Sequence, residues 1–177
     1  MFSIRQELVP QDALLTTYAG GACAGEWRGH ADCFSVTVDR EVRLADFVFS
    51  FYTSPMFRME RLILRGLADA PSSDRDARAV ANGFGGSFAI WRVGERTANE
   101  LLMCDRYERT RSWFRVIPMD GGKTRLQFGS ALAAAREERR GALRDGWVRP
   151  LFALHVLYSR ILLYAAIVRV LDMTAAD

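Results

Sequence analysis

The sequence predicts an α+β protein in which an antiparallel β-meander wraps one long C-terminal α-helix, with short helices between a first strand and the meander. Three observations carry this. From Ser87 to Leu132 the residues take strand chemistry in four runs, SFAIWRV, NELLMCD, RTRSWFRVIP and TRLQFGSAL. Their connectors, GERTA, RYE and MDGGK, are too short for parallel crossovers, so neighbouring runs pair antiparallel. From Leu143 to Leu171 the chain is apolar and rich in helix formers, and between Leu44 and Gly83 lie three stretches of helical period bounded by capping residues.

In chain order, residues 1–29 read as an irregular N-terminal arm, because Gly20, Gly21, Gly25 and Gly29 break any regular period. Residues 31–132 then hold the sheet and the short helices. Ala31 to Arg40 sets Cys33, Ser35 and Thr37 against Phe34, Val36 and Val38, the period of two of a half-buried strand. Leu44 to Tyr52 carries Leu44, Phe47, Val48 and Phe51 at helical spacing. A second helix follows, capped by Thr53 or Ser54, with Pro55 in its first turn and Gly66 near its end. Ser72 or Ser73 caps a third, which stops before Gly83.

In the meander the clearest turn is Asp120, Gly121 and Gly122, since glycine accepts positive φ without a Cβ clash. A loop of two or four residues there would put Arg111, Trp113, Arg115 and Ile117 on the same face as Leu126, Phe128 and Ser130.

Residues 137–171 make up the C-terminal helix, led in by a polar stretch, with a break or bend expected between Gly146 and Pro150. At about 100° per residue, Arg149 and Arg160 share one side and His155, Ser159 and Arg169 the other, with apolar residues wide on both flanks. That predicts a helix covered on more than one side. A bilayer needs about 20 apolar residues, but Arg160 falls at mid-span, where a charge costs at least roughly 2.5 to 3.5 kcal/mol. A core helix therefore ranks first, a helix lying on a membrane surface second and a transmembrane one third.

Composition narrows the function classes. The chain has 177 residues, half of them hydrophobic, enough for one domain with a sizeable core. The net charge of +3 comes from arginines scattered among acidic residues, with Lys123 the only lysine, so no phosphate-binding face is indicated and nucleic acid is not an expected partner. Cys23, Cys33 and Cys104 form no CxxC pair, which points away from a zinc site or disulfide framework, and a reduced cytoplasm fits best. The first residues lack the apolar run of a secretory signal. GFGG after Asn82 lacks the GxxxxGK[ST] pattern of a phosphate loop.

The order of these elements, with ADCFSVTVDREV as first strand, Leu44 to Gly66 as helix pair, Phe88 to Leu132 as meander and Leu143 to Leu171 as last helix, resembles the helix-grip fold of the START and birch-pollen-allergen (SRPBCC) superfamily. The resemblance implies more strands than the five counted, with Met1 to Trp27 as the unread sequence that could supply them. It also implies a cavity between sheet and last helix for an apolar or amphipathic small molecule, in a superfamily of lipid carriers, cyclases and ring-hydroxylase subunits.

Three functions remain open: a binding protein for a lipid-, polyketide- or aromatic-like molecule, a cyclase- or isomerase-like enzyme using the same cavity, and an interaction protein whose last helix docks on a second copy or a membrane surface. No metal or other cofactor is expected. For binding, the expected lining is Trp91, Trp113, Phe128, His155 and Tyr158; if Arg111 and Arg115 face inward they need anions, either an internal partner such as Asp105 or Glu60 or the carboxylate or phosphate head of a ligand. The competing reading leaves both arginines on a solvated face, where they blunt an exposed sheet. For acid–base work the candidates are His30, Glu60 and Asp105. Against these stand an exposed His30, a hydrogen-bonded core His155, and Glu60 in an ion pair with an arginine one turn away. HADC brings Cys33 beside His30 and Asp32, but alternation puts Asp32 and Cys33 on opposite faces.

Overall fold

The computed structural model describes residues 2–17, 29–68, 70–107, 110–133 and 148–173. The sequence between Leu44 and Gly83 folds as its caps direct. Helix α2 spans Leu44–Tyr52, and α3, Pro55–Ala68, starts after Ser54, whose Oγ accepts the Phe57 N–H at 3.3 Å. Helix α4, Asp74–Ala81, carries a complete capping box: the Ser73 hydroxyl accepts the Asp76 N–H and the Asp76 carboxylate accepts the Ser73 N–H. At its other end Arg96 donates to the carbonyls of Val80 (3.1 Å) and Ala81 (2.7 Å), and Gly83 turns the chain at φ 81°.

Seven antiparallel strands form one open sheet: β1 (Arg5–Glu7), β2 (Gly29–Val38), β3 (Ser87–Phe88), β4 (Trp91–Arg96), β5 (Glu100–Asp105), β6 (Thr110–Met119) and β7 (Lys123–Ala133), in spatial order β1-β2-β7-β6-β5-β4-β3. Five strands were expected. The sixth comes from SFAIWRV, which is split at Ala89 (φ 52°) so that Phe88 pairs with Trp91 across a tight turn. The seventh comes from the arm. Arg5 pairs with Ser35 and Glu7 with Cys33, and the Glu7 carboxylate accepts hydrogen bonds from Ser35, Arg125 and Gln127. Burial pushes the Glu7 carboxyl up, but the Ser35 and Arg125 hydrogen bonds together outweigh it and hold it below the usual range.

The turn between β6 and β7 fixes which side chains meet the helices. Met119 pairs with Lys123, so the loop holds the three residues Asp120, Gly121 and Gly122, the glycines at φ 74° and 69°. Three residues reverse the parity that a two- or four-residue loop would give. Ser112, Phe114 and Val116 therefore lie opposite Ser130, Phe128 and Leu126, while Trp113 faces Gly129 on the other side of the sheet. The expectation that Arg111, Trp113, Arg115 and Ile117 share the Phe128 face is overturned by that one residue.

The two sheet faces carry separate cores. On one, Phe34, Val36, Leu101, Met103, Phe114 and Phe128 pack with α2 and with the last helix, α5 (Val148–Met173). On the other, Cys33, Leu102, Cys104, Trp113 and Ala131 are covered by Ala13, Leu14 and Leu15, at and just before α1 (Leu14–Thr17). The arm expected to be irregular thus supplies an edge strand and the cover of the second face; its part from 18 to 28 lies outside the described residues. A Cβ at Gly129 would come to 2.9 Å from the Asp32 carbonyl and from the Trp113 ring, so only glycine lets the indole lie flat against β7.

Helix α5 begins at Val148 with Pro150 in its first turn, where a missing N–H costs nothing. Residues 137–147 of the expected helix lie outside the described residues. Ser159, Leu162, Leu163, Ala166, Ile167 and Val170 are buried at helical spacing, whereas Leu157, Ile161, Tyr164 and Val168 are exposed. Among the described residues the helix is thus covered along one stripe, while its second apolar stripe is exposed except where Phe2 packs on Tyr164, ring centroids 5.2 Å apart. Its end is pinned by Arg169, which donates to Thr53 Oγ1 at 2.7 Å, and by Arg40, which donates to the Leu171 carbonyl at 3.2 Å. Among the described residues, no helix is long and apolar enough to cross a membrane.

Candidate functional site

Between the sheet and α5 lies a cavity of about 280 Å³. Its apolar walls are Phe51 from α2, Phe57 from α3, Trp91 with Ile90 at the start of β4, Phe128 from β7 and Leu162 from α5. Its polar groups include Glu60, Asp105, Arg111, Ser130, Tyr158 and Ser159. Aromatic rings hold the walls in place: Phe51 stands 4.6 Å from Phe128 and 4.9 Å from Phe114, centroid to centroid. On the strand side, Asp32 Oδ1 accepts the Ser130 hydroxyl at 2.7 Å and its N–H at 3.1 Å, and the Ser130 and Ser159 hydroxyls lie 3.3 Å apart, bridging β7 to α5. The indole Nε1 of Trp91 is buried and has no hydrogen-bond partner among the described residues.

Of the residues singled out in the sequence, Trp91, Arg111, Phe128, Tyr158, Glu60 and Asp105 meet at this cavity. Trp113 and Arg115 do not. Trp113 is fully buried on the opposite face, its Nε1–H donating to Glu100 Oε2 at 2.7 Å, and Glu100 Oε2 also accepts the Leu14 N–H at 3.0 Å. Arg115 forms a two-pronged ion pair with Asp12 at 2.7 and 3.1 Å and lies 3.5 Å from Glu100. Arg115 thus meets an internal anion, as an inward-facing arginine requires, but the carboxylates are Asp12 of the arm and Glu100 rather than Asp105 or Glu60. His30 lies on β2 and His155 on α5, with side chains outside the described residues. The Cys33 thiol, on the Trp113 face, is pushed up to about 12 by burial and by the charges of Glu7 and Asp32, so it stays protonated and unreactive.

Phe51, Phe57 and Ser159 also line the cavity, beyond the residues expected to do so; the signal for Phe51 was its helical spacing with Leu44, Phe47 and Val48, and for Ser159 its place on the same side of the last helix as His155.

Glu60 is half-buried on α3, and its carboxylate accepts a hydrogen bond from the Tyr158 hydroxyl of α5. Among the described residues the expected ion pair with an arginine one turn away is not formed; Arg58 and Arg61 instead bind Asp74. Burial raises the Glu60 carboxyl above its usual value and the Tyr158 hydrogen bond only partly opposes it, while burial and the Glu60 charge together raise the Tyr158 hydroxyl. Because the folded chain holds the Glu60 proton more tightly than the unfolded one, this group's destabilisation is absent in acid. It grows as pH rises from the ordinary value of 4.5 through the raised folded value. The variant Glu60→Gln is therefore expected to gain stability relative to the parent across that window. Urea titrations at stepped pH check it, and parallel curves would sink the assignment.

Sheet, helix pair and long last helix together make a helix-grip-like fold with a cavity on the helix side. The sequence matches no protein-family model and no curated protein. Among solved structures the chain is similar to the crystal structure of CalU16 from Micromonospora echinospora, at 13% identity and a TM-score of 0.31, with 99% of this chain and 96% of that one covered. The helix-grip-like fold follows from the strand order and helix packing of the chain itself.

Proposed function

We propose that the protein binds an amphipathic small molecule in the cavity between the sheet and α5. The supporting observation is the lining: aromatic and aliphatic walls on five elements with a few polar groups converging on one space. Burying an apolar body against such walls contributes about 25 cal/mol per Å² of apolar surface, and the polar groups then fix which end goes where. The size favours a ligand of modest bulk, since sites for drug-sized molecules start at about 300 Å³.

A neutral fluorescent apolar probe, N-phenyl-1-naphthylamine, tests the reading. Saturable binding at one probe per chain is expected, and Leu162→Trp, which pushes an indole into the cavity from α5, should weaken it by about tenfold or more while circular dichroism is unchanged. Absence of saturable binding, or equal binding by the filled variant, would overturn the proposal.

A further inference from the structure

We propose that the ligand is an organic ammonium ion, its nitrogen held against the Glu60 carboxylate and its carbon skeleton laid on the aromatic walls. This rests on the small-molecule reading of the same cavity and adds the charge of the ligand to it.

The first argument is charge balance. The ionisable groups lining the cavity from the sheet are Asp105 and Arg111, one of each sign, both almost fully buried. From α3 comes Glu60, a second carboxyl. The lining thus sets two carboxyl groups against one guanidinium among the described residues. Among the described residues no lysine or arginine pairs with Glu60, whose hydrogen bond comes from the neutral Tyr158 hydroxyl. Tyr52, buried on α2, also feels the Glu60 charge but brings no positive one. A carboxylate held out of water without a counter-ion is costly, and a ligand that brings a positive charge offsets that cost.

The second argument is the nature of the walls. Phe51, Phe57, Trp91, Phe128 and Tyr158 line the same space, and the faces of such rings attract cations. An anionic ligand would meet the Glu60 carboxylate, which repels it. Arg111 is the group that would favour an anion, but it sits in the lining together with Asp105, and Asp32 lies below Ser130 on the same side. A neutral ligand would use the walls and leave Glu60 uncompensated. A cation uses the walls and meets Glu60 with the opposite charge, while Asp105 in the same lining offsets Arg111.

Three probes of one length separate the cases: octylamine, octanol and octanoate, titrated calorimetrically at pH 7.5 into the parent and into Glu60→Gln. Octylamine should bind the parent about tenfold tighter than octanol, with octanoate weakest. In Glu60→Gln the amine preference should fall to about threefold or less, with octanol affinity unchanged. Phe57→Leu, which keeps the bulk and removes one ring face, should weaken octylamine more than octanol, and it keeps the test intact if the Glu60 variant misfolds. Octanol or octanoate binding the parent as tightly as the amine, or an amine preference that survives Glu60→Gln, would overturn the ammonium assignment and leave the cavity reading standing. If none of the three binds, both fall.

Discussion

Replacing Phe114 by alanine is expected to destabilise the protein by about 3–5 kcal/mol, a large share of the roughly 5–15 kcal/mol that holds an ordinary domain together. The ring is fully buried at the centre of the β6 face that meets α2. Phe51 lies 4.9 Å from it, Phe128 5.4 Å, and Phe47 and Tyr52 5.6 Å each, most of them edge-on. Removing it takes away the transfer free energy of one ring and a set of aromatic contacts. The hole that remains is framed by side chains on two elements already fixed by other packing, so it cannot close fully. Urea unfolding should show a lower midpoint with an unchanged slope. Phe114→Leu should cost less, since much of the volume remains. A loss below about 1 kcal/mol for the alanine variant would mean that Phe51 and Phe128 collapse into the gap. In that case the cavity they line would change shape, and ligand affinity should change with it.

Why Phe114 and not Trp113 occupies that place shows where the sequence stops being readable. Between Leu44 and Gly83 the helix boundaries were legible to within a residue or two because they depend on local chemistry: Ser54 with Pro55, Ser73 with Asp76, and Gly83 beyond the last turn. The alternation of β2 was legible for the same reason, down to Asp32 and Cys33 pointing opposite ways. Face assignment in the meander was not, because it depends on whether one glycine is counted into a loop or a strand. Aspartate followed by two glycines suits turns of more than one length. The arm was illegible for a different reason. A three-residue strand and a four-residue helix are too short to show a period, and both form because the sheet is there to receive them. Glu60 lay between. Its place on the second short helix could be read, but its partner Tyr158 is 98 residues away, and long-range pairing leaves no trace in local spacing.

On the opposite face, Trp113→Ala is expected to cost about 3–5 kcal/mol, and for a reason that differs from Phe114. The indole is the centre of the small core between the sheet and the arm, and its N–H binds a carboxylate that also receives the backbone N–H of Leu14. Truncation therefore opens a hole beside Gly129 and takes one of two strong donors from buried Glu100 at the same time. Trp113→Phe separates the two terms, keeping most of the ring while losing the donor, and should cost about 1.5–3 kcal/mol. The parent, Trp113→Phe and Trp113→Ala should thus unfold in that order of decreasing urea midpoint. Loosening of the arm should appear as faster proteolytic cleavage between Pro10 and Thr17 in the alanine variant, at temperatures where the rest stays folded. Because the cavity lies across the sheet, the folded fraction of both variants should bind N-phenyl-1-naphthylamine with affinity within about twofold of the parent. Loss of binding by a fully folded Trp113→Phe would show instead that the arm reaches the cavity through β6, whose Arg111 belongs to the Trp113 face and yet lines the ligand space.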